Sequence, residues 1–69
     1  MKIEGTVKEY NGFNGEIIDN LGEYYLLLKE EIMNNEKIKE LDVVTFVPEE
    51  YQINNASKKI ARFIRKKNN

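Results

Sequence analysis

Sixty-nine residues hold one domain, near the lower limit at which a single apolar core stands without a staple. Cysteine and histidine are both absent, which removes disulfides, thiolate chemistry and the commonest metal ligands and leaves the fold to packing and sheet hydrogen bonds. The net charge of −1 is segregated, with five lysines against all twelve acids in residues 1–57 and six cations with no acid in residues 58–69; such an end forms either a local positive surface or a solvated charged strand end.

Lys2 to Tyr10 alternates Ile3, Gly5 and Val7 on one face with Glu4, Thr6 and Lys8 on the other, the period of a half-buried first strand. Asn11-Gly12-Phe13-Asn14-Gly15 follows. Its asparagines and glycines tolerate the positive φ of a hairpin connection, so the stretch from Gly5 to Ile18 reads as strand, tight turn, strand. Phe13 is the odd member. A large apolar ring at a loop tip gains nothing from water, and it either folds back on the hairpin or meets a ligand.

Glu16 to Asp19 makes a short second strand, closed by the turn formers of Asp19-Asn20-Leu21-Gly22. Tyr24 to Leu28 is the most apolar run and makes the third strand. The helix formers that follow suit a short helical turn near Glu30 to Met33, which Asn34-Asn35 interrupts ahead of a loop. Asp42 to Val47 is the most β-prone run and makes the fourth strand, which Pro48 ends. Glu49 to Ser57 reads as a polar loop holding Tyr51 and Ile53. Lys58 to Lys66 is assigned to a fifth strand, although Ala56, Ile60, Phe63 and Ile64 also recur at helical spacing. A small sheet without that strand would be left with an unprotected edge.

Gly5-Thr6-Val7-Lys8, then Tyr10-Asn11, then a glycine-bearing turn into Glu16-Ile17-Ile18, resembles the opening of the cold-shock domain, G-T-V-K-W-F-N followed by K-G-F-G-F-I. Tyr24 to Ile32 is similar to that family's D-V-F-V-H-x-S-A-I, and Leu41 to Phe46 and Ala61 to Ile64 resemble its L-x-E-G-Q-x-V-x-F and A-x-N-V. The resemblance implies an all-β fold, a small five-stranded antiparallel OB-type barrel with a short helical turn between strands three and four. It also implies single-stranded nucleic acid as the ligand, because bases stack on exposed rings of adjacent strands in that family. The rings are thinned here. Glu9 stands at the tryptophan position, Leu26 and Leu28 stand at the phenylalanine and histidine positions, and the second pattern keeps no ring. Each lost stack removes about 1–3 kcal/mol per base.

Catalysis has little to work with, since there is no His or Cys, one serine in a polar loop, and no glycine-rich phosphate cradle ahead of a helix. The pairs Glu30-Glu31 and Glu49-Glu50 diverge on a helix or strand and read as solvated surface, so no metal or cofactor is expected. The candidate constellation is Lys8, Tyr10, Asn11 and Phe13 at the first hairpin, Tyr24 or Tyr25 with Leu26 and Leu28 on strand three, and Lys58, Lys59 and Arg62 on strand five. Rings interleaved with cations make a single-strand platform; for the tyrosines the alternative is a barrel wall with wet hydroxyls. The expectation is a cytoplasmic, monomeric, non-enzymatic binder of RNA or DNA with low affinity and little sequence preference. The competing expectation keeps the barrel but turns the face of Glu9, Glu16, Leu26 and Leu28 toward a polymerase- or ribosome-associated protein. No apolar segment is long enough for a signal peptide or a membrane span.

Overall fold

The computed structural model describes residues 1–67. Strands β1 (Ile3–Tyr10), β2 (Asn14–Asp19), β3 (Tyr24–Leu28), β4 (Val43–Ile53) and β5 (Ala56–Lys66) close a barrel in the order β1-β2-β3-β5-β4. The expected helical turn is two 3-10 turns, Lys29–Glu31 and Met33–Asn35, between β3 and β4. The fold is all-β, and the barrel is compatible with an OB-type architecture.

One expectation is corrected by geometry alone. Strand directions cannot alternate all the way around a ring with an odd number of members, so five closed strands need one parallel neighbour pair. That pair is β3 with β5, joined at Leu26↔Ile60, while the other four pairings are antiparallel. The segment between β3 and β4 carries the chain across to β1, where β4 docks through Ile3↔Phe46 to Thr6↔Val43. The barrel is therefore mixed, not antiparallel.

The core follows from alternation. Val7, Ile17, Leu27, Val44, Phe46, Ala61 and Ile64 are fully buried, and Tyr25 and Ile38 join them. Two bulges decide which residues enter it. Between Val7↔Ile17 and Glu9↔Glu16 the first strand carries one extra residue, Lys8, so every later side chain of β1 changes face. Tyr10, which simple alternation places outward beside Lys8, turns inward and packs against the core. Between Thr45↔Arg65 and Val47↔Arg62 the extra residue lies on β5. There Phe63 adopts φ 53° and stays exposed, and Ile64 takes the core position.

Pro48 does not end β4, which runs on to Ile53 and pairs with β5 down to Ile53↔Ala56. By Pro48 the strand has passed its last β1 pairing, at Ile3↔Phe46, and a strand with one open edge tolerates a missing N–H. The supposed polar loop is thus a long hairpin, turned by Asn54 and Asn55 at φ 50° and 67°, the positive pair of a tight two-residue connection.

Asp42 ties the crossing segment to the barrel. Its carbonyl accepts from Val7 N at 2.9 Å, and its buried carboxylate accepts from Lys39 N and Lys39 Nζ at 3.0 Å each and faces Lys66 Nζ at 3.5 Å. Burial alone would raise its pKa, but the Lys39 hydrogen bonds and the charges of Lys39 and Lys66 outweigh it and hold the carboxyl below its ordinary value. A depressed folded pKa stabilises the fold above the unfolded value and loses that contribution as pH falls through the folded one. Asp42→Asn is expected to cost about 1–3 kcal/mol at neutral pH. In denaturant titrations across pH, the gap between parent and variant should close below about pH 4, where an unfolded aspartate protonates.

Gly15 is fixed by the first bulge. A Cβ there would fall on the Glu9 carbonyl oxygen and lie 2.8 Å from Tyr10 Cα. Gly15→Ala should lower unfolding free energy by about 1–3 kcal/mol or more in chemical denaturation, because backbone and not a flexible side chain must move.

Candidate nucleic-acid interface

The β1–β2 loop is built by Asn11. Its Oδ1 accepts from Phe13 N at 2.8 Å and Asn14 N at 2.9 Å, and its own N–H donates to Asn14 O at 3.1 Å. This Asx turn, with Gly12 at φ 94°, holds Phe13 out of the core at 70% exposure. The Phe13 carbonyl accepts from Lys29 N at 3.0 Å, and the Lys29 ammonium lies 5.7 Å from the Phe13 ring centroid. Asn11, a ligand candidate in the sequence, therefore spends its side-chain oxygen on positioning the ring. Lys29 joins the loop only through the fold, which brings it beside Phe13.

Directly opposed residues share a face of a sheet. On the outward face Asn14 stands beside Leu28, Glu16 beside Leu26 and Ile18 beside Tyr24. Leu26 in turn stands beside Ile60, which pairs with Glu49. Tyr24 and Leu26 are exposed, and Leu28 is partly so. Tyr25 points inward, its ring 5.0 Å from that of Phe46 and its hydroxyl donating to Asp19 Oδ2 at 3.0 Å. Burial first, and then the Asp19 bond and the Asp19 and Glu50 charges, raise the Tyr25 pKa. Of the Tyr24 and Tyr25 pair, Tyr24 is the one on the open face. Tyr10, half-buried, has its pKa raised by burial and by Glu30.

The face is not uniformly positive. Lys8 is exposed on its bulge, but Glu9 directly opposes Glu16, a like-charge pair that costs stability in a sheet. On β5, Lys59 pairs with Glu23 and Lys66 with Asp42, and just past its end Lys67 pairs with Glu4. Arg62 lies between two acids, Nε 3.4 Å from Glu31 and Nη1 3.4 Å from Glu49. Lys58 makes no ion pair among the described residues and is exposed. Of the three β5 candidates, Lys58 alone is left to meet a phosphate without breaking an internal pair. Among the described residues no three His, Cys, Asp or Glu side chains converge as metal ligands.

The extension of β4 adds what the sequence reading placed in a loop. Tyr51 pairs with Lys58 and Ile53 with Ala56, in unbroken register with Glu49↔Ile60, so Tyr51 and Ile53 lie on the same outward face as Leu26. They are 40% and 48% exposed. The alternation of Glu49, Tyr51 and Ile53 with Glu50 and Gln52 was the available signal, masked by Pro48.

No family model, no curated protein and no solved structure matches the chain.

Asn11→Ala removes both side-chain bonds of the loop. It should lower unfolding free energy by about 0.5–1.5 kcal/mol, and in ¹⁵N relaxation the Phe13 amide should lose order while β3 amides do not.

Proposed function

We propose that the chain binds single-stranded RNA or DNA on the β1–β2 loop and the outward face of β2 and β3, with low affinity and little sequence preference. The supporting observation is Phe13, an exposed ring on a loop fixed by Asn11 with the Lys29 ammonium beside it. A base stacked on such a ring gains about 1–3 kcal/mol whatever its identity, and a neighbouring cation meets the phosphate. Tyr24 offers a second ring; Leu26 and Leu28 offer apolar area to a base or sugar without stacking. Lys8, Lys29 and Lys58 are exposed cations that make no ion pair among the described residues.

A protein partner is the second reading, and specific features favour it. Lys59, Arg62, Lys66 and Lys67 are engaged by acids of the same chain, and the Glu9–Glu16 pair puts negative charge beside Leu26. An apolar face with acidic spots suits a partner surface with basic residues at its rim.

Titration of a labelled mixed-sequence oligonucleotide at several salt concentrations separates the two. Three phosphate contacts give a slope of log affinity against log salt of about −2, at roughly 0.7 per phosphate. Phe13→Ala should weaken binding about tenfold and leave the melting temperature unchanged, because the ring stands in solvent. Absence of binding at low salt, or binding indifferent to both salt and Phe13, assigns the face to a protein partner.

A further inference from the structure

The β4–β5 hairpin continues past the barrel wall. Residues 49–58 are all exposed, β4 has no β1 pairing beyond Phe46, and the single β3 pairing of β5 is at Ile60. Lys58 pairs with Tyr51, and Tyr24 lies on the same outward face, two positions before Leu26, the residue of β3 that pairs with Ile60. Tyr24, Lys58 and Tyr51 thus share the outward face at this end of β3, β5 and β4. Lys58 and Tyr51 stand one strand spacing apart, about 5 Å, and the Lys58 ammonium makes no ion pair among the described residues. On the opposite face of the same ribbon, Lys59 is paired with Glu23 and Glu50 bonds Ser57. Among the described residues, the outward side is therefore the one with an uncompensated cation, beside the exposed Tyr51 ring.

We propose that this overhanging ribbon is a second subsite for the strand, with Tyr51 stacking one base, Tyr24 another, and Lys58 meeting the phosphate between them. The subsite rests on the nucleic-acid reading above and extends it from the Phe13 end of the face, across Leu28, Leu26 and Tyr24, onto the hairpin. Rings beside a cation are what a polyanion with flat bases requires. The ligand class is a single strand long enough to cross three β-strands, and very short oligonucleotides occupy the Phe13 end alone.

The chain has no tryptophan, so Tyr51→Trp is a unique reporter. Titrated with oligothymidines of about 4 to 12 nucleotides, a range bracketing one barrel of this size, its fluorescence should be quenched by the longer oligomers and little affected by the shortest. Affinity of the parent should rise with length, and Tyr51→Ala should forfeit about tenfold of that gain while binding the shortest oligomer as the parent does. Tyr51→Phe should keep the gain, and Lys58→Gln should flatten the salt slope by about 0.7. Retained thermal unfolding verifies that the variants fold. If the parent binds every length alike, or if Tyr51→Trp stays unquenched while Phe13→Ala still weakens binding, the subsite is overturned and the Phe13 site stands. If no oligomer binds at all, both fall together.

Discussion

A closed ring of five strands must contain one parallel pair, and the rest of this molecule is arranged to supply it. Joining β3 to a parallel β5 requires β4 to be delivered to the far side, against β1, and so requires the crossing segment of residues 29–42. That segment has little regular structure of its own. It is held by Ile38 in the core, by Asp42 between Val7, Lys39 and Lys66, and by Glu36, whose carboxylate accepts from Lys66 N at 2.8 Å. Polar groups that look like surface decoration in the sequence are thus the fastenings of the topology.

The same arrangement explains the lopsided charge. An acidic body and a basic end repel themselves when extended as separate blocks, yet β5 runs between β3 and β4 and lies against the crossing segment, within reach of acids on β1, β4, the β2–β3 turn and that segment. Lys59, Arg62, Lys66 and Lys67 each find one. Such partly exposed pairs contribute little individually. Their larger effect is on the surface: they engage four of the six cations of the basic end and, among the described residues, leave Lys58 and Arg65 outside internal pairs.

Much of the fold was legible because local chemistry and pattern agreed. Asn/Gly turns bracketed β1 and β2, and Val43 to Val47 has no other reasonable conformation than a strand. What was not legible came from places where a period is broken. The extra residue at Lys8 turns Tyr10 from the open face to the core, and the extra residue at Phe63 makes the inward set of β5 step from Ala61 to Ile64, a helix-like spacing of three. Pro48 concealed five further residues of strand, since a proline is costly only where a neighbour needs its N–H. The candidate site was legible in its rings, Phe13 and Tyr24, and illegible in its charges, because ion pairing is decided by elements far apart in the chain.

The hairpin that overshoots the barrel divides the molecule into parts of unequal persistence. Residues in the ring are released to solvent only when the ring itself opens, whereas residues 49–58 are held by their own ladder and by one turn. Local fraying of this kind lies at the low end of the free-energy scale for opening. Amide hydrogens of the tip therefore exchange on a clock of their own, decoupled from global unfolding. Local opening of the hairpin can thus proceed while the barrel beneath stays shut.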